Sequence, residues 1–222
     1  PELSTAMGWS IFAASENPLW QPGPWQAQAY RIGDRADLDA RVATFLDRVE
    51  ASLPQAGGLY VTSSEHIGTA LRKPEQIARL HGWFAARFET VRYVVYIRDQ
   101  ADWVASAYVQ AIRSGAAMGL DDFIAKQGRN DYHALARLWW ETAGPDSLIV
   151  RRLDPAALVQ GDLIADFATQ LGVPPDGLQR PERQNESMTA FRLRLTRRVS
   201  QHLGPAMERL RLLPLQRQLY ST

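Results

Sequence analysis

The chain has 222 residues, 25 Lys and Arg against 24 Asp and Glu, and a net charge of +1, so it can bury one sizeable core and carries no global polybasic field for nucleic acid. Hydrophobic content of 45% and charged content of 22% are those of a soluble globular protein, and no apolar run approaches the roughly 20 residues of a membrane span. Cysteine is absent, which excludes disulfides, thiolate metal sites and cysteine nucleophiles and fits a reducing, cytoplasmic location.

Residues 1–33 carry little helix signal. Asn17-Pro18, Gln21-Pro22-Gly23-Pro24 and Ile32-Gly33-Asp34 punctuate them, and Trp9, Trp20 and Trp25 read as anchors of an irregular segment on the core. From Asp37 to Leu53, Leu38, Val42, Phe45, Leu46 and Val49 recur at helical spacing, and Pro54 with Gly57-Gly58 ends that helix. Leu59 to Ser63 reads as a short strand running into Ser64-Glu65-His66. Pro74 opens a helix with Ile77, Leu80, Phe84 and Phe88 on one face. A buried strand is predicted over 93–97, a helix over roughly 100–114, and a break from Gly115 to Gly119. Helices follow near 120–127 and 131–143, then a strand at 147–150 ended by Arg151-Arg152. Asp162 to Leu171 is another amphipathic helix, stopped by Gly172 and Pro174-Pro175. After a Pro/Gly/Arg-rich loop at 174–187, a helix is expected near 188–201, interrupted at Gly204-Pro205, with a shorter one near 206–212. Strands alternating with helices predict a three-layer α/β sandwich with a central, mostly parallel sheet. One domain is expected over 1–222, with the Arg-rich helical segment 188–222 packed on it. From Gln179 to Thr222 there are nine arginines against three glutamates; solvated helix faces account for most of that excess.

The segment Val94-Val95-Tyr96-Ile97-Arg98-Asp99 carries the strongest chemical signal. It is a strand ending on an arginine, followed by a helix with Ser106 in its first turns and Arg113 two turns later. Ligands of open α/β sheets bind in the crevice outside the carboxyl ends of the strands. An arginine fork and a hydroxyl converging there suit a phosphate. Against this, an arginine at a strand end also pairs readily with carboxylates, and Asp99 and Asp102 stand close by. Tyr108 and Trp103 read as core. His81, His133 and His202 show no ligand spacing, and no metal site is expected.

The placed elements resemble the bacterial branch of the P-loop-related sulfotransferases, which use 3′-phosphoadenosine 5′-phosphosulfate (PAPS). The resemblance runs from about Leu59 to Arg198. It rests on Ser63-Ser64-Glu65, on Tyr96-Ile97-Arg98 with Ser106, Tyr108, Arg113 and Gly115, and on Tyr132 with Trp139 or Trp140 and Gly144. It continues through Leu148-Ile149-Val150 with Asp154, Leu158 and Asp166-Phe167, and ends on Arg183 to Ser187. The resemblance implies transfer of a sulfuryl group from PAPS to a hydroxyl or amine of a carbohydrate or small-molecule acceptor, leaving adenosine 3′,5′-bisphosphate. It implies that Arg98 and Ser106 bind the 3′-phosphate, with Arg113 and Arg183 as further cofactor contacts. Family members use a glutamate or a histidine as general base, so Glu65 is the first candidate and His66 the second; were the strand to continue, these neighbours would point in different directions. Ordinary alternatives stand beside each role: Glu65 as a helix cap or ion-pair partner, Arg113 facing water, and Ser187 as a helix N-cap.

One departure from the family pattern is large. The lysine-containing, Gly/Thr-rich loop that binds the 5′-phosphosulfate has no counterpart, since no lysine precedes Lys73. Two expectations follow: an enzyme whose N-terminal loop lies before Pro1, or a non-catalytic nucleotide-binding or interaction domain that has lost it. A kinase-like phosphotransferase is disfavoured, because no Walker lysine and no convincing magnesium-binding aspartate is visible.

Overall fold

A computed structural model describes residues 2–54, 57–127, 130–176, 178 and 189–209. The chain is a mixed α/β protein, mostly helical, with a small two-stranded parallel sheet among the described residues. It divides into two compact units, one made of the chain up to Val95 with Tyr132–Val150, the other of Tyr96–Asp131 with the chain from Arg151 on.

The first unit is built on α1 (Thr5–Ala14), where an irregular segment was predicted. Ser4 caps it, accepting the Met7 N–H. Every residue from Met7 to Ala14 is buried, so the helix has no polar face and no amphipathic period to betray it. Gly8 is required there, because a Cβ at that position would sit 2.4 Å from the Phe45 ring. A short helix, α2 (Pro24–Tyr30), follows, and ends on Arg31 in the left-handed conformation (φ 51°). Helix α3 (Arg35–Ser52) is capped by Asp34 and buries Leu38, Val42, Phe45 and Val49 along one stripe. A single turn, α4 (Ile67–Ala70), leads to α5 (Pro74–Ala85), which buries Ile77, Leu80 and Phe84. Helix α8 (Tyr132–Ala143) closes this core with Trp139 and Ala143, while Trp140 is exposed.

The predicted strand at 59–63 is not one. Its side chains alternate, with Tyr60, Thr62 and Ser64 turned in and Val61, Ser63 and Glu65 exposed. Tyr60 stacks on Phe88, with ring centroids 5.8 Å apart, and Trp9 Nε1–H donates to Thr62 Oγ1 at 3.0 Å. The period of two is real, but it reflects packing on helices; no strand pairs with the segment among the described residues.

Strands β1 (Tyr93–Ile97) and β2 (Leu148–Arg152) form the sheet. Beyond β1, in the second unit, lie α6 (Gln100–Arg113) and α7 (Leu120–Gln127). Tyr108, Ile112 and Phe123 make its core, together with Leu193 from α10 (Ala190–Arg209). The Tyr108 hydroxyl donates to the Met118 carbonyl at 3.1 Å. Helix α10 runs through Gly204-Pro205 without the predicted interruption. Thr189 takes the capping role, accepting the Arg192 N–H at 3.2 Å; the predicted cap Ser187 lies outside the described residues.

A buried carboxylate joins the strand ends to α9 (Leu163–Gln170). Asp166 has no exposed surface. It accepts the Tyr96 hydroxyl at 2.8 Å, the Val159 N–H at 3.1 Å, and both Nε (3.0 Å) and Nη2 of Arg151. The Arg151 guanidinium, reinforced by Tyr96 and Val159, overcomes desolvation and holds the Asp166 carboxyl down to about 2. Burial first, and the Asp166 carboxylate second, push the Tyr96 phenol up.

The depressed carboxyl stabilises the fold fully above the unfolded carboxyl value of about 4, and that contribution disappears as pH falls from about 4 towards 2. Asp166→Asn removes the charge-assisted bonds and lowers stability by roughly 2–3 kcal/mol at neutral pH. Urea unfolding followed from pH 7 to pH 2 checks both: the variant loses this acid-dependent component, and a variant as stable as the parent contradicts the assignment.

Candidate functional site

The structure places the candidate residues in two groups, one in each unit. In the second unit Arg98 follows directly on the last residue of β1. Asp99 next to it is the N-cap of α6, its carboxylate accepting the Ala101 N–H at 2.8 Å. That occupies the nearest acid. Among the described residues no carboxylate pairs with Arg98, and Asp102 is no exception. Arg98 is exposed, a cation held at a strand's carboxyl end with no counter-ion among the described residues.

Ser106 and Arg113 lie seven residues apart on α6, two helical turns along one face. Ser106 is exposed and Arg113 half-buried in the last turn. The buried stripe of the same helix, Tyr108 and Ile112, is spaced by four and belongs to the core, so the helix is fixed by one face and presents the other. Two arginines and a hydroxyl on this short strand-to-helix unit are donors only towards an anion. Arg183, the late-loop candidate, lies outside the described residues.

In the first unit Glu65 and His66 do not diverge as an extended strand would make them. They sit in a turn, with Glu65 Oε1 3.3 Å from His66 Nε2. Glu65 does not cap the following helix. Ser64 holds the turn that leads into it, accepting the His66 N–H at 3.2 Å and the Ile67 N–H at 3.3 Å while its hydroxyl donates to the Ala6 carbonyl of α1. The turn is therefore fastened to the most buried helix of the unit. The glutamate side chain is 82% exposed and the histidine 32%, so the imidazole is the more enclosed member. A carboxylate against one imidazole nitrogen leaves the other, Nδ1, to take a proton.

The Tyr96–Arg151–Asp166 network is the feature the motif reading left without a role. A signal was present: Asp166 is a lone acid among Ile164, Ala165, Phe167 and Ala168, on the face that an amphipathic helix buries. Among the described residues no group of three His, Asp or Glu gathers in a way that could hold a metal ion, and no helix is long and apolar enough to cross a membrane.

No family model matches the chain, and no solved structure matches it. It is 27% identical over 114 residues to a protein of Archaeoglobus fulgidus described as an uncharacterized protein. The match covers 51% of this chain and 31% of that protein, so the chain's match spans about a third of the relative's length.

The geometry separates stability from function at two positions. Arg98→Ala removes no described ion pair and leaves stability within about 0.5 kcal/mol of the parent. Ser64→Ala removes the side-chain bonds that hold the turn and its tether to α1, and costs about 1–2 kcal/mol. Thermal and urea unfolding of the two variants check this ordering; a large loss in Arg98→Ala shows that Arg98 has a structural partner after all.

Proposed function

We propose that the chain belongs to a sulfotransferase that moves a sulfuryl group from PAPS to a hydroxyl or amine of a carbohydrate or small-molecule acceptor. The observation that carries this reading is Arg98, exposed at the carboxyl end of β1 with no carboxylate on it among the described residues, leading into a helix with Ser106 and Arg113 on one face. On this reading β1 and β2 are two strands of a larger central parallel sheet between helical layers, and the reaction is cytoplasmic.

Sulfuryl transfer resembles phosphoryl transfer in having a loose transition state, so positioning and charge stabilisation carry most of the catalysis. Arg98 binds the 3′-phosphate of PAPS through its fork, Ser106 donates a hydroxyl, and Arg113 and Arg183 add positive charge. Glu65 and His66 supply the base. Either Glu65 takes the acceptor's proton itself, or it orients His66, which takes the proton on Nδ1. General-base assistance of this kind is worth roughly 10²–10⁴-fold.

A second reading is favoured by one sequence feature. The two lysines are Lys73, which precedes α5, and Lys126, in the last turn of α7; neither stands in a Gly/Thr-rich loop after a strand. A non-catalytic nucleotide-binding domain would keep Arg98, Ser106 and Arg113 without that loop.

Calorimetry with adenosine 3′,5′-bisphosphate tests the nucleotide, and sulfate transfer from PAPS to the acceptor tests the chemistry. Arg98→Ala weakens nucleotide binding by about 1.5–3 kcal/mol, the worth of a charge-assisted contact, and unchanged affinity removes Arg98 from the site. Glu65→Gln lowers turnover with little change in cofactor affinity. Near-full turnover in Glu65→Gln with none in His66→Ala moves the base to His66, and normal turnover in both removes the pair from the reaction. Nucleotide binding without any transfer supports the second reading.

A further inference from the structure

We propose that the outward face of α10 docks on an anionic lipid surface. The inward face of this helix is settled by its neighbours: Thr196 and Ser200 are buried, and Leu193 packs against the core of the second unit. Gln201 Nε2 also donates to the Ala117 carbonyl at 2.9 Å, fixing the rotation of the helix. Residues spaced by three and four share a face, so the opposite side of the helix carries Phe191, Leu195, Arg198 and His202, flanked by Arg194 on one side and Arg192 on the other.

Two large apolar side chains stand in solvent there, Phe191 at 76% exposure and Leu195 at 52%. They are one turn apart and contiguous. Around them Arg192, Arg194 and Arg198 are exposed, and among the described residues no carboxylate pairs with them. From Ala190 to His202 the sequence contains no acid. An exposed Phe-Leu pair ringed by arginines on a convex helix is the composition of an interfacial helix: the apolar tips enter the boundary of the acyl chains while the guanidinium groups stay level with the phosphates. Nucleic acid suits the face less well. One phenyl ring beside a leucine gives no succession of stacking platforms, and the charge does not line a groove. The lipid must be anionic, because the face has three arginines and, among the described residues, no carboxylate that pairs with them.

This inference stands apart from the transfer reaction, and its test leaves the cofactor out. The whole chain is sedimented with vesicles of phosphatidylcholine alone and with vesicles of phosphatidylcholine and phosphatidylglycerol in equal parts. Binding to the anionic vesicles only is expected, weakening as salt rises. Each arginine near such a surface contributes roughly five-fold, so R192S/R194S/R198S binds roughly 100-fold more weakly. F191S/L195S also weakens binding with all charges kept, which separates insertion from simple attraction to phosphate. Both variants change exposed side chains only and keep the parent's melting temperature. Equal binding to both vesicles, binding untouched by F191S/L195S, or no binding to either overturns the proposal. So does arginine-dependent binding of a single-stranded oligonucleotide in place of the anionic vesicles.

Discussion

A single buried carboxylate determines how the two strands end. Asp166 accepts Tyr96 from β1, Arg151 from β2 and the Val159 amide of the loop between β2 and α9. A carboxylate with no exposed surface is costly unless its lone pairs are filled, and here three elements fill them. Parallel two-stranded pairing alone is weak, and no residue of β1 or β2 is fully buried. The network supplies what packing on the strands does not. Arg98 stands two residues beyond Tyr96, so the position of the candidate phosphate ligand depends on a bond made by its neighbour in the same strand.

Division of labour among the acids follows from this. Asp99 is spent on the Ala101 amide in the first turn of α6, Asp166 on Arg151, and Asp154 on Arg152 and the Ala156 amide. The carboxylate next to Arg98 in sequence thus has structural work, and among the described residues none pairs with Arg98, which leaves its guanidinium open to an external anion. In the first unit the same economy appears in Ser64. By holding the turn it frees Glu65 to meet His66 instead of the helix end.

The helices that the sequence discloses are those with one wet face. Helices α3, α5, α6 and α9 place apolar residues at three- and four-residue spacing because their other sides meet solvent. Helix α1 escapes notice for the opposite reason: with Met7 to Ala14 buried on all sides, its pattern has no period. Residues 59–63 mislead because alternation reports which side chains turn inward, not whether a neighbouring strand exists. The Arg98, Ser106 and Arg113 placement was legible because it depends only on a strand, a turn and a helix in immediate succession. The closeness of Glu65 and His66 was not, since it needs a turn that Ser64 creates through a contact with Ala6, 58 residues away. The role of Asp166 likewise depends on Tyr96, 70 residues distant.

The central claim is that the strand-to-helix unit from Tyr96 to Arg113 holds the 3′-phosphate of a nucleotide. A crystal structure of the protein with adenosine 3′,5′-bisphosphate tests it most directly. The account predicts the 3′-phosphate within hydrogen-bond distance of the Arg98 guanidinium and the Ser106 hydroxyl, with the Tyr96–Asp166–Arg151 network intact behind them. A nucleotide bound elsewhere, or held through its 5′-phosphate alone with Arg98 still in solvent, would contradict it.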